Sequence, residues 1–355
     1  MNWLQKLNGE SITVGLDIGT YSIKLIKLRN TRHGYFLDAC GIRELPPGTI
    51  EGGQIKNRDT LIDAITTLIN QCDPSIIEVV ISMSGNGIIS DKCVFKVDPN
   101  EDPGETILWE AGQRSPFDAD DITLDYKILH HNIEKHEVEV LLVAAKNQIM
   151  QSHIDLLYDA GLKPVIVDVD AFAITNCYSL GSLAQDEEAT VALLNIGHNH
   201  SNITFIKSGV YHSSRDISTA GEYFVKTLQR NMGLSAADAL EIIRGRTESA
   251  RDPKAVLQNI EFAAEELSSG IDLAFSYFRS SEKNDTISKI IVSGGGAYIP
   301  HLIPFLQKRH ETVVEVANPL AFLQYDPGLF GAVNPARLSS LLTVATGLAM
   351  RKVPT

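Results

Sequence analysis

Cysteine is scarce in this 355-residue chain, and the four present (Cys40, Cys72, Cys93 and Cys177) show no Cys-x-x-Cys or Cys/His spacing. That pattern excludes a disulfide scaffold and a zinc module, and leaves the buried, reduced thiols of a cytosolic protein. Basic residues are in the minority: 31 Lys and Arg stand against 44 Asp and Glu, a formal net charge of −13. Such a balance argues against non-specific nucleic-acid binding and against electrostatic attachment to anionic lipid. Long hydrophobic runs are missing. The longest apolar-leaning stretch, LSSLLTVATGLAM from Leu338 to Met350, falls short of the roughly 20 residues of a bilayer span. It reads instead as a core-facing C-terminal helix. The opening MNWLQKLNGE is too short and too polar for a signal peptide. No segment is low in complexity or long enough for a disordered linker. A soluble cytosolic protein is the expectation.

Strand and helix periodicities alternate throughout, and the length suits two lobes, each with its own core. SITVGLDIGTYSIKLIKLRN, Ser11 to Asn30, reads as two strands joined by a turn around Asp17, Gly19 and Thr20. YFLDACGIREL follows as a third strand. RDTLIDAITTLINQC spaces Leu61, Ile65, Leu68 and Cys72 as one face of a helix, and EVVISMSG is a buried parallel strand. From about Ile88 to Asn132, Asp/Pro-rich joints flank the helix ETILWEAGQR and mark an inserted subdomain. VEVLLVAA, KNQIMQSHIDLLYDAG (with Gly161 closing the helix) and KPVIVDVD predict a β-α-β unit. Near residue 191 the first hairpin is written again as TVALLNIGHNHSNITFIKSG. A mostly helical region runs to about 282; in it Leu257, Ile260, Ala264, Leu267, Ile271, Ala274 and Phe278 form one core stripe. ISKIIVSGGGAYIPHLIPFLQKR then gives a strand, three glycines and a helix.

A tight turn containing glycine gathers backbone N–H groups with no Cβ in the way, a concavity suited to phosphate. In the first turn Gly19 lets the backbone approach, Thr20 and Ser22 add hydroxyls, and Lys24 adds a point charge. Asp17 offers oxygen to Mg²⁺ through water. One such turn is a plain hairpin; its repeat at Asn195–Gly197 lets two turns grip one polyphosphate from both sides. SGGG, Ser293 to Gly296, adds a third glycine-rich edge where a nucleoside can lie flat. A dinucleotide-binding alternative needs GxGxxG in the first β-α turn, and that motif is absent there.

Together these motifs resemble the actin-like ATPase superfamily: GLDIGTYSIK and LLNIGHNHSN match its two phosphate motifs, DVDAFAI its connecting motif and IIVSGGGAYIP its adenosine motif. Within it the chain is most similar to the PilM family of type IV pilus assembly. That likeness rests on WEAGQRSPFDADDITLDYKIL, EVEVLLVAAKNQIMQSHIDLLYDAGLKPVIVDVDAFAI, SRDISTAGEYF and LLTVATGLAMRK, and covers nearly the whole chain.

The resemblance implies an α/β, actin-like ATPase fold: two duplicated lobes around a nucleotide cleft, with an FtsA/PilM-type inserted subdomain. The first lobe is expected at 1–87 with 166–188 and 335–355, and the insertion at 88–165. The second lobe is expected at 189–334, with a helical subdomain at about 218–285. Implied phosphate contacts are Gly19, Thr20, Tyr21, Ser22, Lys24, Gly197, His198 and Asn199. Gly294, Gly295, Gly296, Leu240 and Ile243 are expected beside adenosine, with Asp17 and Asn195 holding Mg²⁺ mostly through water. The implied ligands are ATP or ADP and Mg²⁺. The implied partners are the N-terminal cytoplasmic peptide of a PilN-like inner-membrane protein, gripped between first lobe and insertion, and the pilus motor ATPases. Pro116 and Phe117, in SPFDAD, are expected at the rim of that groove.

The motifs also depart from the family. Asn195 replaces a second aspartate and loses its charge. His198, Asn199 and His200 fill a turn usually small and hydroxyl-rich. Leu240 and Ile243 stand where Glu and Lys often meet adenosine. Asp170 falls where relatives position the attacking water, and it equally suits a helix N-cap. Weak or absent ATPase activity is therefore the expectation. A small-molecule kinase of the same superfamily is the enzymatic alternative, and an FtsA-like filament former is the structural one.

Overall fold

The apolar alternation of the first twenty described residues forms β1 (Ser11–Ile18) and β2 (Ser22–Thr31), an antiparallel pair continued by β3 (Gly34–Glu44). The structure is a computed structural model; it describes residues 11–85, 87–97, 103–115, 117–132, 136–182, 189–246, 252–282 and 286–353. A short ribbon, β4 (Ile50–Glu51) with β5 (Gln54–Ile55), leads into α1 (Arg58–Cys72), whose first turn is capped by Asn57 accepting from Thr60 N–H. Leu61, Ala64, Ile65 and Leu68 bury its inner face, as their spacing predicts. β6 (Glu78–Met83) pairs parallel with β1, and β10 (Lys163–Val169) pairs parallel with β6.

The second lobe repeats this plan. β11 (Thr190–Ile196), β12 (Ser201–Lys207) and β13 (Val210–Ile217) form the antiparallel meander. β14 (Ile287–Ser293) lies parallel to β11, and β15 (Val313–Val316) parallel to β14. The first sheet reads β10-β6-β1-β2-β3, the second β15-β14-β11-β12-β13, with the same sense at every step. The duplication visible as two similar hairpins thus extends to whole sheets.

Between β6 and β10 lies a three-stranded antiparallel sheet of β7 (Ile88–Lys96), β9 (Glu137–Lys146) and β8 (Ile122–Asn132). It is covered by α2 (Pro103–Arg114), whose Ile107 and Ala111 pack against Phe95, Val138 and Val140. Here the expected β-α-β unit fails. VEVLLVAA is β9, paired with β7 and β8, whereas KPVIVDVD is β10 in the large sheet. The Val-Glu-Val start of β9 is the alternation of an antiparallel strand open on one face, not of a doubly covered parallel one. The intervening helix α3 (Asn147–Asp159) buries Leu156 and Leu157 with Val14, Leu61 and Ile69 of the first lobe. The small sheet therefore ends at Lys146, earlier than the expected limit of 165. The chain also returns to the first lobe before residue 335: β16 (Gln324–Tyr325) pairs with β3, and Leu320, Leu323 and Phe330 pack against Ile26, Leu28 and Leu37.

The second lobe's helices are α5 (Gly221–Met232), α6 (Ala236–Ile243) and α7 (Pro253–Ser281), after α4 (Asp170–Ser182) in the first lobe. The α7 stripe packs as expected, with Val256 rather than half-buried Leu257 at its start. α8 (Leu302–His310) follows the glycine-rich edge, and α9 (Thr343–Ala349) closes the chain after a 3₁₀ turn at Ser339–Leu342. α9 is wedged between β1 and α4. A Cβ on Gly347 would stand 1.7 Å from Ala173 O, and one on Gly15 would stand 2.1 Å from Ala345 O. Among the described residues no helix is long and apolar enough to cross a membrane.

Candidate functional site

The two hairpin turns share one geometry. In the first, register pairs Asp17 with Lys24 and Ile18 with Ile23, and Gly19 N–H donates to Ser22 O at 3.1 Å. In the second, register pairs Asn195 with Asn202 and Ile196 with Ser201, and Gly197 N–H donates to His200 O at 3.1 Å. Superposing the registers places Asn195 on Asp17 and Asn202 on Lys24. The first turn holds an ion pair, Lys24 Nζ to Asp17 Oδ2 at 3.1 Å, with both side chains nearly buried. The second holds only amides: Asn195 Oδ1 accepts from Ser293 Oγ at 3.3 Å, and Asn202 Nδ2 donates to Asp216 Oδ1 at 2.9 Å. Asn202 was missed in the sequence, although it follows Asn195 by the same step that separates Lys24 from Asp17. Asp216 on β13 was missed too, because only strand pairing reveals it. It sets a carboxylate beside Asn202 on the cavity wall.

Asp170 begins α4 at the mouth of β6. Its carboxylate accepts from Ser82 Oγ at 2.5 Å, and Ser84 also hydrogen-bonds it. Burial and the negative charge of Asp17 push its pKa up to about 6, against these hydroxyls and nearby His200. Two carboxylates and one ammonium therefore meet at the base of the first hairpin. Among the described residues no three His, Cys, Asp or Glu side chains cluster to hold a metal ion directly. Cation binding here would need water or ligand oxygens to complete it.

The glycine-rich edge explains its own composition. Gly294 has φ +80°, and a Cβ there would lie 2.5 Å from Ile196 O and 2.6 Å from Asn195 Oδ1. A Cβ on Gly296 would meet Ile196 Cγ2 at 2.1 Å, whereas at Gly295 the nearest atom is Leu341 Cδ2 at 3.6 Å. The outer two glycines thus let the edge press against β11, and the middle one stays open.

Both turns and this edge line one cavity of about 1080 Å³, which Gly19, Gly197 and Gly295 all face. Thr20, Tyr21, Ser22, Lys24, His198 and Asn199 line it at the hairpins, Asp17, Asn195 and Asp170 at its base, and Leu240 and Ile243 with Gly294 and Gly296 on the far side. Tyr298 and Arg337 also line that far side, and Tyr298 OH donates to Ala336 O at 3.1 Å. They add polar groups to the cavity lining, and no local sequence signal marks them.

A second cavity, about 700 Å³, lies between the first lobe and the small sheet. Met83, Ile88, Val143, Met150 and Phe172 give it an apolar lining, and Asp125, Asp168, Arg351 and Lys352 give it charge. Arg351 grips Asp168 with two bonds of 2.5 Å, Nε to Oδ2 and Nη2 to Oδ1. Met83 lines both cavities. Phe117 is not among the lining residues; its ring lies under Lys146 Nζ, 4.8 Å from the centroid. Pro116 lies outside the described residues.

Comparison with known proteins supports the architecture. The family model described as type IV pilus assembly protein PilM matches residues 15–353. Among solved structures, the chain is similar to the PilM-PilN type IV pilus biogenesis complex, with TM-score 0.84 and 23% identity over 97% of this chain and 99% of that chain. It is also similar to the ethanolamine utilization protein EutJ from Carboxydothermus hydrogenoformans, with TM-score 0.55 and 14% identity over 96% and 89% of the two chains. MreB5 of Spiroplasma citri bound to ADP aligns with TM-score 0.51 and 12% identity over 95% and 94%. What these share with the chain is the actin-like ATPase fold.

Proposed function

The chain belongs to the type IV pilus assembly protein PilM family, and on that premise we propose that it is a pilus-assembly adaptor whose large cavity binds ATP or ADP with Mg²⁺. The observation that carries this reading is the pair of identically closed glycine turns facing one cavity with an open glycine edge opposite. Gly19, Thr20, Tyr21, Ser22 and Lys24 hold the phosphates from one side, and Gly197, His198 and Asn199 from the other. Leu240, Ile243 and the glycine edge flank the nucleoside. Asp17 and Asn195 are the residues that would hold Mg²⁺, mostly through water, and the ion would supply charge to offset the phosphates. ATPase activity is weak or absent on this reading, because Asn195 would offer a cation no charge; Asp170 is the residue we assign to orienting a water. Isothermal titration with ATP, with and without Mg²⁺, tests the site: micromolar affinity is expected, and no heat in either condition refutes it.

The second cavity is the proposed seat of the N-terminal cytoplasmic peptide of a PilN-like inner-membrane protein. A solved relative was captured as a PilM-PilN complex, and the cavity's apolar lining with charged flanks suits an extended peptide with buried side chains. The chain then sits at the inner membrane through that partner, and its outer surface meets the pilus motor ATPases. Pull-down with such a peptide should succeed, and absence of binding with and without nucleotide would discard the adaptor role.

Asn195→Asp probes the metal assignment. The new carboxylate keeps the bond from Ser293 and adds a charge opposite Asp17. Mg²⁺-dependent ATP affinity should rise on the order of fivefold, the weight of one partly screened charge. Unchanged affinity would mean the second hairpin does not face the cation.

A further inference from the structure

Three side chains tie the lobes together at the outer side of the large cavity. Glu44, at the end of β3, accepts from Tyr21 OH at 2.9 Å through Oε2 and from Arg244 Nη2 at 2.6 Å through Oε1. Arg244, just past α6 in the second lobe, also donates to Tyr21 OH, and its Cζ lies 5.2 Å from the Tyr21 ring centroid. Glu241 steadies the guanidinium from its own helix at 3.3 Å. The Tyr21 ring then meets the His198 ring of the opposite turn, with centroids 5.0 Å apart. Burial and Glu44 raise the Tyr21 pKa to about 12, so its hydroxyl stays a proton donor. Tyr21, Glu44, Arg244 and His198 line the cavity, and they differ in depth from the charges at its base: the Glu44 side chain is 58% exposed, that of Asp17 12%.

We propose that Tyr21, Glu44 and Arg244 form a latch between the first hairpin and α6 that sets how fast nucleotide enters and leaves the cavity. This rests on the nucleotide reading of the site. The two lobes move apart only if these bonds break, and lobe opening is the common route of ligand exchange in paired-lobe folds. Partly exposed charge pairs are weak, so the latch slows opening without sealing the cavity.

A latch and a ligand contact leave different kinetic marks. Losing a contact speeds release and weakens affinity; losing a latch speeds entry and release together. With N-methylanthraniloyl-ADP in stopped flow, Arg244→Ala and Glu44→Ala should each raise both rates about fivefold, the upper strength of an exposed ion pair, with Kd changed less than twofold. The double variant should match either single one, since both break the same bond. Rates equal to wild type, or faster release alone with weakened binding, would overturn the latch. A readout without nucleotide separates it from the site assignment. Hydrogen exchange of α6 amides, Ala236–Ile243, should quicken in both variants of the nucleotide-free protein. Unchanged exchange overturns the latch even if nucleotide binds. Faster exchange in a protein that binds no labelled ADP keeps the interlobe tie and refutes its role in nucleotide traffic.

Discussion

Gly19→Val should lower ATP affinity more than a hundredfold while the protein stays folded. A Cβ at position 19 stands 3.0 Å from both Lys24 Nζ and Ser22 O, closer than such atoms ordinarily pack. The two γ-carbons of valine then have to enter the cavity, where the phosphate would approach, or push Lys24 off Asp17. Either outcome removes the concave backbone and the point charge on which anion binding at a turn depends. The turn lies at the end of the first sheet, away from the β1–α9 packing, so the lobe's core is spared. Gly19→Ala, carrying the Cβ alone, should fall between. Titration calorimetry checks affinity and thermal unfolding checks the fold; micromolar binding by a folded Gly19→Val protein would contradict the proposed phosphate site.

Arg351→Ala should cost about 3 kcal/mol of stability and abolish peptide binding. The Asp168 side chain is 2% exposed, and Arg351 is its two-pronged partner. Removing one member of a buried pair leaves an uncompensated charge, which costs several times what the pair itself contributes. The remaining exposure of Arg351, 36%, keeps the figure at the lower end. The same pair lines the second cavity, so its loss removes part of the wall assigned to the peptide. Arg351→Lys should rescue only in part, because an ammonium cannot make both bonds of the fork. Asp168→Asn combined with Arg351→Ala should recover stability by removing the stranded charge. Denaturant unfolding and peptide titration measure both effects. A stability change under 1 kcal/mol with intact peptide binding would refute the assignment.

Much of the molecule is local enough to read from the chain alone. The hairpins at Asp17–Lys24 and Asn195–Asn202, the α1 face, the α7 stripe and the Ser293–Gly296 edge are set by residue period and by turn chemistry acting over a few neighbours. Of these, the two hairpins and the glycine edge also carried the likeness to the superfamily. Partner choice was not local. β9 joins β7 and β8 rather than β10, and only that pairing shows where the insertion ends. Asp216 reaches the cavity because β13 lies beside β12, and the Phe117 ring lies under Lys146 Nζ, a contact between residues 29 positions apart.

Sequence alone determined that there are two like hairpins, each closed by a glycine turn, because hydrogen bonding within a turn needs only adjacent residues. Tertiary structure decided which side chains face one another across the gap. Arg244 meets Tyr21 from 223 positions away, and Arg351 meets Asp168 from 183. Charges that distant in the chain come together only when burial of the cores has fixed the backbone around them, and no short-range pattern records the outcome.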